Sequence, residues 1–314
     1  MKRLAVVAFG GNALLKAGEE GTIGQQEANA RYTSERLLLL LQNNYNLVIT
    51  HGNGPQVGNI LLANNAGHKL MGMPEMPLDI CVAYSQGFIG YMIEQQLRNV
   101  LRANEMDRDI ISIITQVLVT KDDPAFKNPT KPIGPYYTKE EADKIAEISD
   151  SKFAEDPQGR GYRKVVASPK PLVISNVDTI RKISREGQIV IAVGGGGIPA
   201  YYAAENELRG IDAVIDKDLA SALVASQINA DKFFILTDVS KVYLNFNTPQ
   251  QKAIDRMSVA EARRYLEEGQ FTEGSMAPKV RAAIHFVEHT GKDTIITSAD
   301  KLGVDLGGTR VAIV

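Results

Sequence analysis

Three lysines stand in sequence contexts that local structure does not explain. Lys131 directly precedes a proline, Lys217 lies between Asp216 and Asp218 at a predicted helix start, and Lys279 opens another predicted helix. A cation at a helix N-terminus is unfavourable for the helix dipole. Gathered together, such lysines would neutralise the charge that spreads over a phosphoryl group during transfer, and a neighbouring aspartate could orient them or hold Mg²⁺. Taken singly, each is more often a solvated surface charge.

Glycine-rich turns follow three of the predicted strands. The turns are Gly10-Gly11-Asn12, His51-Gly52-Asn53-Gly54-Pro55 and Gly194–Gly197. Glycine lets backbone N–H groups converge on an anion, and a following helix adds its positive N-terminal end. Ligands of open α/β sheets lie beyond the carboxyl ends of the strands, so the three turns are expected to gather around one anion. A single turn of this kind also fits a purely steric role in a tight connection.

Two common phosphate-binding motifs are absent from the sequence. No G-x-x-x-x-G-K-[ST] occurs, which excludes a P-loop enzyme of the usual kind. The nearest dinucleotide-binding match, at 52–58, has its third glycine one residue late, and no acidic residue ends a second strand about 20 positions on. A Rossmann dehydrogenase is therefore disfavoured.

Other polar residues carry weaker signals. Asp238 ends a predicted strand and would either meet a ribose or base or cap a turn, and both interpretations stay open. His285 and His289 have the i, i+4 spacing of zinc ligands, but with no general base or cysteine nearby an exposed helix face is favoured. His51 is interpreted as a structural hydrogen-bonding residue, and Cys81, in an apolar run, as a buried small side chain.

The elements that must position these residues alternate between strands and helices, which predicts a parallel sheet with helices on its faces. The predicted strands are 4–9, 46–50, 110–120, 188–193, 232–237, 293–297 and 309–314. The predicted helices are 25–42, 56–66, 77–104, 139–149, 218–229, 258–268 and 277–290. Gly87 and Gly90 interrupt the helical pattern of 77–104.

The segment 121–171 differs in character from its surroundings. It is rich in proline and glycine and too long for a plain loop, which predicts a small hairpin-rich subdomain that acts as a lid or an insertion. The chain is accordingly divided into an N-terminal lobe (1–120), this protruding subdomain (121–171) and a C-terminal part (172–314).

Composition excludes several classes of partner. The 314 residues include 35 Lys and Arg against 37 Asp and Glu, for a formal charge of −2, so no global field favours nucleic acid or a membrane. One cysteine permits no intramolecular disulfide and is compatible with a reducing compartment. The first apolar run is too short for a signal peptide and no run approaches a membrane span. A cytoplasmic protein is expected.

Taken together, the motifs resemble those of the carbamate kinases, a family of the amino acid kinase superfamily. The resemblance runs from the first strand to the last. It rests on GGN at 10–12, HGNGPQ at 51–56, NPTKPIGP at 128–135, the glycines 194–197, AVIDKD at 213–218 and GSMAPK at 274–279. It implies an α/β three-layer sandwich with a central, mostly parallel sheet of about eight strands and a small protruding subdomain. It also implies an acceptor site in the N-terminal lobe, a nucleotide site in the C-terminal lobe and a homodimer.

Carried over by position, the resemblance assigns three groups of site residues. The catalytic group is Lys131, Lys217, Lys279 and Asp218. The residues expected to bind carbamate and the phosphoryl group are Gly10, Gly11, Asn12, Gly52, Asn53, Gly54, Gly195 and Gly196. The nucleotide pocket would comprise Asp216, Thr237, Asp238, Tyr243, Met276 and Pro278. Mg²⁺ is expected on the ATP or ADP phosphates, with no protein ligand assigned.

One departure from the superfamily pattern favours a carbamate kinase over other members of the superfamily. Relatives such as acetylglutamate kinase carry a lysine two positions before the glycine pair, where this chain has Ala8. Lys131 is the natural substitute, which predicts that the subdomain must close for catalysis. The implied reaction is reversible: ADP and carbamoyl phosphate give ATP and carbamate, which decomposes to ammonia and CO₂, as in fermentative arginine breakdown. The alternatives are a kinase of acetylglutamate, glutamate or a nucleoside monophosphate, and a non-catalytic regulator that binds nucleotide or anion.

Overall fold

The computed structural model of the chain describes residues 2–10, 14–16, 18–148, 151–156, 159–305 and 307–314. Two of the predicted phosphoryl-binding residues, Gly11 and Asn12, lie outside the described residues. Within the described ranges, no helix has the length and apolar character that a membrane crossing requires.

The described residues form eight helices and seventeen strands. The helices are α1 (Ile23–Gln42), α2 (Gly54–Met71), α3 (Leu78–Ala103), α4 (Lys139–Ile148), α5 (Val177–Glu186), α6 (Lys217–Gln227), α7 (Val259–Glu267) and α8 (Met276–Thr290). The strands are β1 (Arg3–Phe9), β2 (Tyr45–His51), β3 (Ile110–Ser112), β4 (Gln116–Leu118), β5 (Lys131–Tyr137), β6 (Lys152–Glu155), β7 (Tyr162–Val166), β8 (Val173–Ile174), β9 (Ile189–Ile191), β10 (Ile198–Ala204), β11 (Glu207–Gly210), β12 (Lys232–Leu236), β13 (Val242–Leu244), β14 (Lys252–Ile254), β15 (Arg256–Ser258), β16 (Thr294–Thr297) and β17 (Thr309–Ala312).

The central sheet has eight strands in the order β15-β17-β16-β12-β1-β2-β9-β3. Each neighbouring pair is parallel except β16 and β17, which are antiparallel. The predicted mostly parallel sheet of about eight strands is therefore confirmed. Parallel neighbours place their carboxyl ends along one edge of the sheet, which is where a ligand is expected.

Strand β1 lies in the middle of the sheet and is apolar on both faces. Leu4, Val6 and Ala8 belong to the core that packs against α6 and α8. The residues between them, Ala5, Val7 and Phe9, belong to a second core formed with α1 and α3. Alternate residues of a strand face opposite sides of its sheet, so β1 is the shared middle of a three-layer sandwich.

The predicted strand 110–120 is wrong as a single element. It is divided into β3, at the edge of the central sheet, and β4, which belongs to a four-stranded sheet in the order β11-β10-β4-β8. At the break the Gln86 side chain engages the Thr115 amide in place of a neighbouring strand, while the Thr115 carbonyl also accepts from the Ile198 amide of β10 at 2.9 Å. Gln86 Oε1 accepts from the Thr115 amide at 2.8 Å, and Gln86 Nε2 donates to the Thr115 carbonyl at 3.1 Å.

Two further differences concern glycines and hairpins. Gly87 and Gly90 do not interrupt α3, which is continuous from Leu78 to Ala103. Gly90 lies against β3, where a Cβ would be 3.2 Å from Ser112 Oγ, so the residue permits close helix–strand packing.

The hairpins β10–β11 and β13–β14 were not predicted, because their short strands lack regular alternation of apolar and polar residues.

The segment 121–171 contains a three-stranded antiparallel sheet, β5-β7-β6, together with α4. An apolar cluster fixes its base to the rest of the protein through Val57, Cys81, Ile133, Val166 and Val214. The division of the chain at 120 and 171 stays a prediction.

Candidate active site

The first glycine turn begins at the end of β1, beside the end of β12. A Cβ at Gly10 would lie 2.6 Å from the Leu236 carbonyl oxygen and 3.7 Å from Thr237 Cα. A larger residue would push these strand ends apart. Gly10, with which the predicted phosphoryl-binding turn begins, therefore lies next to Thr237, one of the predicted nucleotide-binding residues.

The second glycine turn connects β2 to α2. A Cβ at Gly52 would lie 3.1 Å from Lys217 Cδ, so the lysine stem crosses directly over this glycine. Asn53 is the N-cap residue of α2, and a Cβ at Gly54 would lie 4.0 Å from the Pro132 carbonyl oxygen of β5. The helix start is thus lined by a lysine on one side and by the protruding subdomain on the other.

The third glycine turn, Gly194–Gly196, is a buried 3₁₀ turn. Gly195 has φ +64°, and a Cβ there would lie 2.1 Å from Asn53 Nδ2; a Cβ at Gly196 would lie 2.4 Å from the Ile215 carbonyl oxygen. Close packing against neighbouring groups accounts for both glycines. Their predicted contact with the phosphoryl group stays a prediction.

The carboxylate of Asp218 bridges two of the three predicted catalytic lysines. Lys217 Nζ donates to Asp218 Oδ1 at 2.5 Å, and Lys279 Nζ donates to Asp218 Oδ2 at 3.0 Å. The three side chains come from the first turns of α6 and α8, which pack together. This arrangement explains why both lysines occupy helix starts, since the shared carboxylate compensates for the unfavourable dipole.

Asp216 connects the same helix to the protruding subdomain. Its Oδ1 caps α6 by accepting from the amides of Asp218 at 2.9 Å and Leu219 at 3.2 Å. Its Oδ2 accepts from Lys131 Nζ at 2.7 Å. Asp216 was assigned to the nucleotide pocket, and its observed contacts are with the helix start and the subdomain lysine.

Burial and charge act against each other in this cluster. Burial would raise the pKa of Asp218, but the two ammonium groups beside it hold that pKa well below its usual range. Burial likewise opposes ionisation of Asp216, and Lys131 brings its pKa below the ordinary value. Both carboxylates are therefore ionised at neutral pH.

The two lysines on Asp218 differ from each other. Burial lowers the pKa of Lys217, and the nearby Lys279 adds to this effect. Burial also acts to lower the pKa of Lys279, but Asp218 outweighs it and the pKa lies above its ordinary value. Asp238 is close enough to contribute to this increase, which places it near the lysine pair.

The remaining predicted nucleotide residues fall into two groups. Met276 and Pro278 lie in the first turn of α8 with Lys279, and Thr237 follows β12, where its amide donates to the Thr297 carbonyl at 2.9 Å. Tyr243 lies on β13 with its ring 5.9 Å from that of Phe246. Across the described ranges, no hydrogen bond or ion pair joins Tyr243 to the lysine cluster.

Several residues that the sequence did not mark as functional hold the glycine turns and Lys217 in place through hydrogen bonds. Ser85 accepts a hydrogen bond from Asn53 Nδ2 at 2.8 Å, and Gln86 Nε2 donates to the Gly194 carbonyl at 2.9 Å. Ser221 donates to the Lys217 carbonyl at 2.5 Å and contacts Thr50 Oγ1, also at 2.5 Å. These are common residue types in helices and a strand, and no motif marks them.

The environments of the histidines and of Cys81 do not favour a catalytic role for these side chains. His51 is buried, its Nδ1 lies 3.0 Å from the Gly52 carbonyl oxygen, and burial lowers its pKa to about 4. Burial raises the pKa of the Cys81 thiol to about 11. The exposed helix face predicted for the pair holds for His289, whereas His285 is half-buried, with its ring 4.0 Å from that of His289. Within the described part of the chain, no group of three or more His, Cys, Asp or Glu residues could hold a metal ion.

Comparison with known proteins gives a consistent result over the whole chain. Residues 3–298 match the model of the amino acid kinase family. A carbamate kinase of Pyrococcus furiosus is 46% identical over 301 residues, which cover 96% of this chain and 95% of that protein. Among solved structures, the carbamate kinase from Giardia lamblia bound to citric acid has a TM-score of 0.93 at 41% identity, covering 99% and 98% of the two chains. The same enzyme bound to AMP-PNP has a TM-score of 0.89 at 42% identity, with the same coverage.

Proposed function

Since the chain belongs to the amino acid kinase family, among its carbamate kinases, we propose that it catalyses reversible phosphoryl transfer between ATP and carbamate. In the ATP-forming direction, ADP attacks the phosphorus of carbamoyl phosphate and carbamate leaves. Carbamate then decomposes to ammonia and CO₂. The observation that carries this proposal is the bridged pair Lys217–Asp218–Lys279 beside the glycine turn that begins at Gly52.

The charge of the cluster suits a phosphoryl group in transfer. Lys131, Lys217 and Lys279 bring three positive charges, and Asp216 and Asp218 bring two negative charges. One positive charge remains, and fixed ammonium groups in a largely buried site stabilise developing negative charge strongly. Asp218 orients its two lysines, which lowers the reorganisation needed during the reaction.

No general base is needed for this reaction. Carbamate already carries an anionic oxygen, and in the reverse direction the nucleophile is an ionised phosphate of ADP. This agrees with a site built from lysines and backbone amides, in which the nearby histidine, His51, is buried and neutral above about pH 4. The acceptor is therefore proposed to bind as an anion between the turns at Gly10 and Gly52.

Lys131 is proposed to act from the protruding subdomain. Ala8, the position at which superfamily relatives carry a lysine, is fully buried in β1 and supplies no charge. Lys131 is 2.7 Å from Asp216, at the start of the helix that carries Lys217. In the proposed closed state, the ammonium group contacts the phosphoryl group in place of Asp216.

The nucleotide is proposed to bind on the C-terminal side of the same cluster. The Giardia lamblia relative binds AMP-PNP, an analogue of ATP. In this chain Asp238 lies near Lys279, and Met276 and Pro278 share the first turn of α8 with it. These residues and Thr237 are proposed to line the pocket, with Tyr243 at its outer end. Asp216 and Asp218 are both bonded to lysines, so Mg²⁺ fits this site as a partner of the nucleotide phosphates. When bound, it would neutralise charge on those phosphates.

The test is ATP formation from ADP and carbamoyl phosphate, followed by a coupled luciferase signal. The reverse assay offers ATP with carbamate, acetylglutamate, glutamate or a nucleoside monophosphate. Turnover confined to the carbamate pair is expected. Preference for another acceptor would contradict the proposal in favour of a different kinase, and nucleotide binding without any turnover would favour a regulator.

Association and physiological role are proposed from the resemblance. We propose a homodimer that works in the cytoplasm and makes ATP during arginine breakdown. Helix α3 presents an apolar face that a second copy could cover, with Ile80, Tyr84 and Tyr91 exposed by 41%, 58% and 64%. Sedimentation of the wild type and of Tyr84→Lys tests this face: a dimer that the lysine dissociates supports it, and an unchanged mass contradicts it.

A further inference from the structure

The side-chain amide of Asn53 is held in one orientation by Ser85. Ser85 Oγ donates its single proton to the Val82 carbonyl within α3, at 2.6 Å. The same oxygen lies 2.8 Å from Asn53 Nδ2 and, with its proton already engaged, can only accept there. The nitrogen of the amide must therefore face Ser85, and the direction of Asn53 Oδ1 follows.

The second observation is that Asn53 does not cap its helix. Asparagine at an N-cap position normally accepts a hydrogen bond from an amide of the first helical turn through its side-chain oxygen. Asn53 is the N-cap residue of α2, yet it makes no side-chain capping bond. In the part of the chain that the structure describes, no donor contacts Asn53 Oδ1, although the residue is only 2% exposed. Among the described residues, a nearly buried acceptor is thus left without a donor at the turn after β2.

The surrounding cluster is rich in donors. Lys217 passes over Gly52, directly before Asn53, and the first amides of α2 have no partners within their own helix. Such donors suit the carboxylate and phosphoryl oxygens of the substrate. Carbamate and carbamoyl phosphate also carry an amino group, whose N–H bonds need an acceptor.

We propose that Ser85 is a positioning residue that directs Asn53 Oδ1 toward the amino group of the substrate, and that this contact selects carbamate over acceptors without an N–H bond. The inference rests on the proposed function and names the specificity element of that site. A buried site built to hydrogen-bond a polar group discriminates strongly against an analogue that lacks it, because its own polar atom is then left unpaired.

The test compares two acyl phosphates that differ only at this group. ATP formation from ADP is measured with carbamoyl phosphate and with acetyl phosphate, in which a methyl group replaces the amino group. The readout is the kcat/KM for carbamoyl phosphate divided by the kcat/KM for acetyl phosphate. A general loss of stability or of nucleotide affinity would not change this ratio. Without its serine partner the Asn53 amide can rotate, and in Ser85→Ala this ratio is expected to fall by about tenfold or more.

The matched control is Ser34→Ala. Ser34 is also fully buried in a helix and donates to the carbonyl four residues earlier, Ala30, at 2.7 Å, but it makes no hydrogen bond to the described residues of the turns. Its ratio should equal that of the wild type. A second variant, Ser85→Cys, keeps the shape but weakens both hydrogen bonds, so an intermediate ratio is expected. It decides the question if the alanine variant does not fold.

An unchanged ratio in the folded Ser85 variants would overturn this inference and leave the proposed function intact. A wild-type protein that binds ADP but forms no ATP from carbamoyl phosphate would overturn both.

Discussion

Lys131 Nζ lies 2.7 Å from Asp216 Oδ2, although 85 positions separate the two residues in the chain. The contact joins the protruding subdomain to the N-cap of α6, one residue before Lys217. It places a third ammonium group at the edge of the Lys217–Asp218–Lys279 cluster.

We expect Lys131→Ala to lower kcat for ATP formation by about 100-fold or more, because one positive charge on the transferring group is lost. Steady-state kinetics with carbamoyl phosphate measure this effect. Lys139→Ala is the control, since Lys139 belongs to the same subdomain but forms an exposed pair with Asp143. Turnover of Lys131→Ala within a few fold of the wild type would show that this lysine has no catalytic role.

We expect Asp218→Asn to impair both activity and stability. Two buried ammonium groups would lose their shared carboxylate, and leaving a buried charge unpaired costs about 3–5 kcal/mol. Urea unfolding measures the stability, and kcat should fall by about 100-fold or more as the lysines lose their orientation. Asp293→Asn serves as a control, because Asp293 pairs with Lys232 away from the cluster. Equal kcat values for the two variants would contradict the bridging role.

We expect His51 to make the protein less stable in acid. Its pKa is about 4 in the folded protein, against about 6.5 when unfolded, so between these values the unfolded chain binds more protons. The free energy of unfolding therefore rises with pH, and His51 should account for a loss of about 2–3 kcal/mol from pH 7.5 to pH 4.5.

Urea unfolding at both pH values measures this loss, which His51→Gln should reduce. An equal pH dependence in wild type and His51→Gln would rule out the assignment.

We expect Gly58→Ala to displace the protruding subdomain. A Cβ at Gly58 would lie 1.9 Å from Gly134 Cα, so α2 and β5 are in direct backbone contact and one of them must move. That movement carries Lys131 with it, and kcat should fall by about tenfold or more while the Kd for ADP is maintained. Gly24→Ala, where no atom lies within 4 Å of the added Cβ, is the control and should be neutral. An unchanged kcat in a folded Gly58→Ala protein would refute the coupling.

Much of the architecture could be predicted because its signals are local. The buried run of β1 and the glycine turns after β1 and β2 are each encoded in a short stretch of sequence. The strand 110–120 could not be resolved in this way. At its break the Thr115 amide bonds to the side chain of Gln86, a helical residue distant in sequence, and not to a neighbouring strand.

The sequence by itself determined the residue types of the site: the glycines at strand ends, the lysines at helix starts and the aspartates beside them. Tertiary structure decided the pairing, with Lys131 on Asp216, two lysines on one carboxylate of Asp218, and Ser85 on Asn53. The reason is physical. Backbone propensity and apolar periodicity act over a few residues, whereas a hydrogen bond or an ion pair depends on a distance that only the folded chain sets.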